Sequence, residues 1–307
     1  MTTTDTSYLP GGVFAAALTP LLADLSVDTE KYIDHCRRLL TSGCDGLAVM
    51  GTTGEANSFT VAERMAALEA LVAAGIPPRR LLVGTGVCAF PDTVTLTRHA
   101  LSLEVGGVLL LPPFYYKNVS DDGVFAALAA VIDRVDEPRL QVYLYHFPQL
   151  SAVPFGPELV GRLLKAFPGQ LAGMKDSGGD WEHMLTIQTN FPDLRVFAGT
   201  ERFLNAILGI GGAGCISATT NIGARLAAQV YANPGQDAVA IQARLIKLRN
   251  TVERYPMIPA LKQIMFQRTS AAGWLNLRPP HVPLLAERAR QLIVDLDGIG
   301  FPEGYGD

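Results

Sequence analysis

Short apolar runs alternate with helical segments along most of the chain, and this alternation limits the possible folds more than any other feature. Several runs lack the apolar/polar alternation of a sheet with one wet face, so we predict strands covered on both faces. The predicted strands are Val13–Leu18, Gly46–Val49, Leu81–Gly84, Gly107–Leu111, Gln141–Tyr145, Leu171–Met174, Arg195–Ala198 and Gly214–Ile216. The predicted helices between them are Thr29–Thr41, Thr60–Ala73, Asp92–Glu104, Asp121–Val135, Pro157–Ala166, Trp181–Asn190 and Glu201–Leu208. Eight such units favour an α/β fold of the (β/α)8 TIM barrel type over a doubly wound sheet.

The pattern changes near Ile222, beyond which the sequence predicts helices and no strands. These helices are Leu226–Tyr231, Ala238–Arg254, Ile258–Thr269 and Val282–Leu296. A chain of 307 residues is long enough for one such barrel with an appendage. We therefore predict a barrel with the active site over residues 1–225 and a C-terminal helical extension over residues 226–307.

Composition excludes several classes of protein. The formal net charge is −4 without long runs of one sign, which argues against nucleic-acid binding and a polybasic membrane surface. No apolar segment is long enough to predict a membrane span, and the first residues carry no Lys or Arg, unlike a signal peptide. The five histidines form no zinc motif. The scattered cysteines are typical of buried thiols in a reducing cytoplasm; they are Cys36, Cys44, Cys88 and Cys215.

Catalytic residues of such barrels lie where strands end, and one lysine occupies such a position. Of the six lysines, only Lys175 ends a predicted apolar strand. An amine that burial deprotonates is a nucleophile toward carbonyl groups, so this position favours catalysis. The alternative is a structural ion pair with Asp176 or Asp180.

Three further strand ends carry candidate functional side chains. Gly51–Glu55 has two glycines around two threonines, a turn that can present hydroxyl and backbone N–H donors to a carboxylate, or that can be an ordinary polar turn. Tyr145 ends its strand and can exchange a proton with a substrate hydroxyl, whereas Tyr143 is expected in the core. The run Phe114-Tyr115-Tyr116 predicts a pocket wall, a subunit contact or simple loop packing.

Two glycine-rich segments resemble nucleotide-binding motifs only loosely. Gly84–Ala89 matches the dinucleotide pattern but follows the third strand rather than the first, and Gly209–Gly214 is expected to give close helix–strand packing. A nicotinamide oxidoreductase therefore has little support.

The candidate residues together resemble a known set. Gly51–Glu55, Tyr145 three residues before Pro148, and Gly173-Met174-Lys175-Asp176 are similar to motifs of the dihydrodipicolinate synthase / N-acetylneuraminate lyase family of class I aldolases. The resemblance extends from about Pro10 to Leu296, and it is specific for the family rather than for a substrate.

The resemblance implies a mechanism without a metal or an organic cofactor. Lys175 would form a Schiff base with pyruvate or another 2-oxo acid. A carbon–carbon bond between this bound acid and an aldehyde would then be formed or broken. Tyr145 would be the general acid/base, Thr53 would join the proton relay, and Tyr115 would complete it across a subunit interface of a homotetramer, a dimer of dimers. The substrate-binding residues would be Gly51, Thr52, Thr53, Leu150, Ser177, Gly199, Glu201 and Ile216.

Departures from the family pattern bear on the substrate. Leu150 stands where the synthases carry an arginine that binds the carboxylate of the aldehyde, which argues against aspartate semialdehyde. Ala218 and Arg202 stand where the neuraminate lyases carry a serine and an acid. Gly173–Asp180 is similar to the corresponding segment of 4-hydroxy-2-oxoglutarate and 2-keto-3-deoxy-sugar-acid aldolases, and Glu201 with Arg202 are candidates for contact with the distal end of the substrate.

We therefore predict a Schiff-base lyase for a hydroxylated 2-oxo acid. The alternatives are a dihydrodipicolinate synthase, a dehydratase that uses the same Schiff base, and a non-catalytic barrel that binds 2-oxo acids.

Overall fold

The computed structural model describes residues 11–301, and its strands form a closed parallel barrel in the order of the sequence. The strands are β1 Gly12–Ala16, β2 Gly46–Val49, β3 Leu81–Gly84, β4 Gly107–Leu110, β5 Val142–His146, β6 Leu171–Asp176, β7 Arg195–Ala198 and β8 Gly214–Ser217. β1 pairs with β8, which closes the barrel. The prediction of a (β/α)8 barrel is confirmed.

Helices surround the barrel and continue beyond it. They are α1 Thr29–Thr41, α2 Val61–Ala73, α3 Phe90–Ser102, α4 Asp121–Val135, α5 Pro148–Ser151, α6 Pro157–Ala166, α7 Trp181–Asn190, α8 Leu204–Gly209, α9 Thr220–Ala232, α10 Val239–Glu253, α11 Met257–Thr269 and α12 Ala286–Asp297. A capping box stabilises the start of α2: the Thr60 hydroxyl accepts from the Glu63 N–H, and the Glu63 carboxylate accepts from the Thr60 N–H. None of the helices described is long and apolar enough to cross a membrane.

The largest differences from the predicted elements have local causes. α5 has four residues, too few to produce a helical period in the sequence. The segment predicted as Glu201–Leu208 is a 3-10 turn over Glu201–Phe203 followed by α8. The predicted domain boundary after residue 225 falls inside α9, which runs through it from Thr220.

The lower half of the barrel is filled by large side chains that need small neighbours. Phe14, Tyr143 and Phe197 point inward, and the Phe197 ring centroid lies 5.5 Å from that of Phe14 and 6.0 Å from that of Tyr143. A Cβ atom at Gly173 would lie 2.5 Å from the Tyr143 ring and 2.5 Å from the Arg195 carbonyl oxygen. Only glycine fits there, and this explains the residue two positions before Lys175.

The C-terminal helices pack on the barrel through a second apolar cluster that includes Leu18, Leu261 and Trp274. A buried ion pair joins the same two parts. Lys262 of α11 contacts the Glu55 carboxylate, and its ammonium also donates to the Asn276 carbonyl at 2.9 Å. Burial lowers the pKa of Lys262, and the charge and hydrogen bond of Glu55 oppose that shift.

We expect Lys262→Met to lower the free energy of unfolding by about 3–5 kcal/mol, because Glu55 would keep a buried charge without its partner. The double variant Lys262→Met/Glu55→Gln should be less destabilised than the single variant, since neither buried charge remains. Denaturant unfolding measures both effects. A Lys262→Met protein as stable as the wild type would contradict a stabilising role for this pair.

Candidate active site

A cavity of about 400 Å³, which includes space open to solvent, lies at the carboxyl ends of the strands. Residues from β1 to β6, from the loops that follow them and from α2 form its walls. The lining residues are Ala16, Ala48, Met50, Gly51, Thr52, Ala56, Asn57, Arg64, Gly84, Gly86, Leu109, Leu111, Tyr145 and Lys175. Among residues 11–301, the walls contain two basic side chains, Lys175 and Arg64, and no carboxylate.

Lys175 and Tyr145 are neighbours on adjacent strands. They occupy paired positions of β6 and β5, so both side chains point into the barrel mouth. The Lys175 Nζ atom lies 4.2 Å from the centroid of the Tyr145 ring, and the exposed fractions are 5% and 4%. An amine and a phenol therefore share one buried space.

The Tyr145 hydroxyl extends toward the loop after β2. Its oxygen lies 3.2 Å from the Thr52 hydroxyl oxygen, a hydrogen bond in which either group can donate. The two hydroxyls can therefore pass a proton between them. Lys175, Tyr145 and Thr52 thus lie side by side at the barrel mouth, and their roles stay a prediction.

The backbone holds the Gly51–Glu55 loop in a tight turn. Met50 and Glu55, at its two ends, adopt left-handed conformations with φ of 50° and 59°. The Ala56 N–H donates to the Gly51 carbonyl at 3.1 Å, and the Thr19 hydroxyl donates to the Gly54 carbonyl at 3.0 Å. Strained backbone of this kind is common where a loop must present groups to a ligand.

Other predicted site residues lie around this centre in different environments. Thr53 is buried in the loop, but it is not among the residues that line the cavity. Ser177 and Gly199 touch each other, since a Cβ atom at Gly199 would lie 2.2 Å from the Ser177 Oγ atom. Ile216 is fully buried in the barrel core below the cavity, beside Phe14 and Phe197.

Glu201 is enclosed by hydroxyl groups. Its carboxylate accepts hydrogen bonds of 2.6 to 2.7 Å from Ser217, Thr219 and Thr220, and the residue is 1% exposed. Arg202 donates to Asn250 and Glu253 on α10. A contact between either residue and a substrate would require these bonds to be exchanged, and it stays a prediction.

The remaining predicted residues are at the surface. Leu150 on α5 is 58% exposed, and Tyr115 and Tyr116 are each 73% exposed, with their rings in edge-to-face contact. Among residues 11–301 no side chains enclose these two tyrosine rings, which is compatible with a role at a subunit interface.

Arg64, which no sequence motif predicted, lies on α2 and lines the cavity. Its Nη2 atom donates to the Gly84 carbonyl at 2.6 Å, while Nε and Nη1 are buried without a hydrogen-bond partner among residues 11–301. Burial lowers the pKa of Arg64 to about 10, so the side chain is still cationic at neutral pH. A single arginine in a helix pattern carries no sequence signal for such a position.

A histidine–carboxylate cluster lies beside the site, on the outer side of β5 and β6. The side-chain ligand atoms of His146, Asp176 and His183 lie within 4.8 Å of one another. The Phe155 N–H donates to the His146 Nδ1 atom, so the proton of that neutral ring is on Nε2 and neither nitrogen is free to bind a metal. The remaining two groups are too few for a metal site. Asp176 pairs with His183, and Asp180 caps α7, so neither carboxylate is an ion-pair partner of Lys175.

The protein is a parallel barrel with a buried lysine and a buried tyrosine at the carboxyl ends of its strands. Comparison with known proteins agrees with this description. The model of the dihydrodipicolinate synthetase family matches residues 9–298. The chain belongs to this family, as its motifs predicted.

Relatives of the chain include proteins with different names. An uncharacterized DapA-like lyase of Chloroflexus aurantiacus is 37% identical over 92% of this chain and 95% of its own. A crystal structure of dihydrodipicolinate synthase from Agrobacterium tumefaciens is 35% identical, with a TM-score of 0.88 over 94% of this chain and 99% of the other. A Sulfolobus 2-keto-3-deoxygluconate aldolase, 20% identical with a TM-score of 0.84 over 94% and 96% of the two chains, shares the fold.

Proposed function

We propose that this chain is a class I lyase in which Lys175 forms a Schiff base with a 2-oxo acid. The observation that carries the proposal is the placement of a buried amine 4.2 Å from the ring of Tyr145, in a cavity at the barrel mouth. An amine in this position attacks the keto carbon of the substrate, water leaves, and an iminium forms.

The iminium makes cleavage of a carbon–carbon bond possible. With the carboxylate carbon as C1 and the keto carbon as C2, the C3–C4 bond breaks. Its electron pair moves to the iminium and gives an enamine. Tyr145 accepts the proton of the substrate hydroxyl, so that an aldehyde leaves. Protonation of the enamine and hydrolysis then release pyruvate and restore the Lys175 amine.

The Gly51–Thr53 segment supports the same chemistry from the other side of the cavity. Its backbone N–H groups and the Thr52 hydroxyl are donors suited to the carboxylate of the 2-oxo acid. Thr52 is also bonded to Tyr145 and can return the proton that Tyr145 accepts. Thr53 would support this relay from within the loop.

A hydroxylated 2-oxo acid, such as a 2-keto-3-deoxy sugar acid, 4-hydroxy-2-oxoglutarate or a sialic-acid-like compound, is the substrate class that we favour. Leu150 offers an apolar side chain where the resemblance to the synthases would place an arginine for aspartate semialdehyde. An apolar side chain cannot form a bidentate bond with a carboxylate. The names of the relatives include both a synthase and an aldolase, so they do not favour either. We prefer the aldolase because Leu150 replaces the arginine of the synthases.

Tyr115 would act from a neighbouring subunit. Its exposed ring lies outside the cavity of its own chain, so completion of the relay by Tyr115 requires assembly, in the form of the homotetramer that the resemblance implies.

The test is an assay of pyruvate release from a panel of hydroxylated 2-oxo acids, coupled to lactate dehydrogenase and NADH. The same preparation is given pyruvate and aspartate semialdehyde, and pyruvate consumption is followed. We expect release from at least one oxo acid and no condensation with the semialdehyde. Efficient condensation alone would identify a synthase, and turnover of neither, with ligand binding retained, would identify a binding barrel.

A further inference from the structure

A closed hydrogen-bond network joins the two strands that carry Lys175 and Tyr145. The next residues along these strands are Asp176 and His146, whose side chains lie outside the barrel. The Ser177 N–H donates to the His146 carbonyl at 2.8 Å, and the Gly178 N–H donates to the Asp176 carboxylate at 2.9 Å. The network therefore links the ends of β5 and β6 directly.

His183 of α7 completes the network, and both of its ring nitrogens face acceptors. Nδ1 lies 2.6 Å from the Asp176 Oδ2 atom, and Nε2 lies 2.8 Å from the Phe155 carbonyl oxygen. A carboxylate and a carbonyl can only accept, so both contacts are hydrogen bonds only when both nitrogens carry protons. With Asp176 ionised, this geometry requires an imidazolium.

His146 takes the opposite state. Its Nδ1 atom accepts from the Phe155 N–H at 3.1 Å, which fixes the neutral form with the proton on Nε2. Burial lowers the pKa of His146 to about 4. The two rings are stacked, with centroids 4.1 Å apart and planes 11° apart, so a neutral ring covers a charged one. A Cβ atom at Gly178 would lie 3.0 Å from the His146 Nε2 atom, which leaves no room for a side chain above the stack.

We propose that His183 is a positioning residue that acts in its protonated form, and that its ion pair with Asp176 fixes the strand ends from which Lys175 and Tyr145 extend. This inference rests on the proposed function, since it concerns the alignment of the Schiff-base lysine with its acid/base partner. His183 does not touch the cavity; it acts through Asp176, which is buried, and through Phe155, which is also buried.

The proposal gives the site a dependence on pH. The titratable groups facing His183 are Asp176 from β6, Asp180 from the start of α7 and His146 from β5. Burial alone would lower the pKa of His183, but the hydrogen bond and charge of Asp176, the Phe155 carbonyl and the charge of Asp180 outweigh it and raise the pKa. A raised pKa means that the contribution of the pair is complete below the usual histidine value and is lost as the pH rises through the pKa of the folded state.

The charge state of His183 is measured directly by nitrogen NMR of the histidine side chains at about pH 7.5, one unit above the usual histidine pKa. The signal that His183→Gln removes belongs to His183. We expect both of its nitrogens to be protonated, while the signals of the buried residues His35 and His146 report neutral rings. A neutral His183 at this pH overturns the proposal, whether or not the chain is an active lyase.

The functional consequence is measured by the pH profile of kcat. We expect His183→Gln to lower kcat about 10- to 100-fold with little change in KM, because the reacting groups are misaligned rather than lost. His183→Arg keeps a charge, so its kcat should not fall at the alkaline pH where that of the wild type does. His99→Gln is the matched control, because this partly buried ring is bonded to the exposed Glu69, and it should leave kcat unchanged. Wild-type kcat and an unaltered alkaline limb in folded His183→Gln would also overturn the proposal.

Discussion

Lys175→Ala is expected to reduce kcat about 10⁴-fold or more, since removal of a covalent nucleophile eliminates the route rather than slowing one step of it. The substitution leaves a small space at the barrel mouth but breaks no ion pair with Asp176 or Asp180, whose carboxylates are bonded elsewhere. The folded state should therefore persist. Circular dichroism and the pyruvate-release assay measure the two properties on one preparation.

Lys165→Ala is the matched control for this prediction. Lys165 lies exposed at the end of α6, and its removal should leave kcat unchanged. A Lys175→Ala protein that retains more than about a tenth of the wild-type kcat would exclude a lysine nucleophile, because non-covalent effects alone do not replace covalent catalysis to that extent.

Tyr145→Phe is expected to lower kcat about 10²- to 10⁴-fold while the Schiff base still forms, because loss of a positioned acid/base group affects proton transfer and leaves the amine in place. The ring remains over the Lys175 amine and beside Phe147, so packing is retained. Only the hydroxyl bonded to Thr52 is lost. Stopped-flow or steady-state kinetics give kcat, and borohydride trapping measures imine formation separately.

Tyr143→Phe removes a hydroxyl from the same strand and the same inward face, two residues deeper. That hydroxyl accepts a hydrogen bond from Arg195 in the barrel core, below the cavity. Its loss should change kcat less than about threefold, within the range of a small stability effect. If both variants lost activity equally, the hydroxyl of Tyr145 would have no special role, and the acid/base assignment would be wrong.

The fold could be predicted from the sequence because a parallel barrel requires the same pattern of strand and helix to repeat along the chain. Each strand is covered on both faces and reads as a short apolar run, and each helix follows at a regular interval. The elements that differ from the prediction lack such a pattern. α5 is one turn long. α9 begins at Thr220, and the predicted start at Leu226 was too late because the first turn of the helix carries polar residues.

The centre of the site was predictable for a related reason. Lys175 and Tyr145 are unusual residues at the ends of apolar strands, and strand ends meet at one edge of a parallel barrel. The two glycines of Gly51–Glu55 predicted a tight turn at the end of its strand. The pairing of Tyr145 with Lys175 in register, however, depends on a shift between Val142 and Tyr143 that only the structure reveals.

The supporting contacts could not be predicted, since they join residues far apart in sequence. Arg64 reaches the cavity from a helix, and Glu55 meets Lys262 across about two hundred residues. His183 lies on α7, and nothing in the sequence distinguished it from the other polar residues of an amphipathic helix. Its charge follows from the direction of two acceptors, which is a property of the assembled fold alone.

The proposed mechanism requires a covalent bond between Lys175 and a 2-oxo acid. The measurement that tests it most directly is borohydride reduction in the presence of pyruvate, followed by peptide mass analysis, with Lys175→Ala as the control. We expect one reduced pyruvyl adduct, on the peptide that contains Lys175, and none in the control. An absent adduct in the folded wild-type protein, or an adduct that persists in Lys175→Ala, would contradict the Schiff-base mechanism.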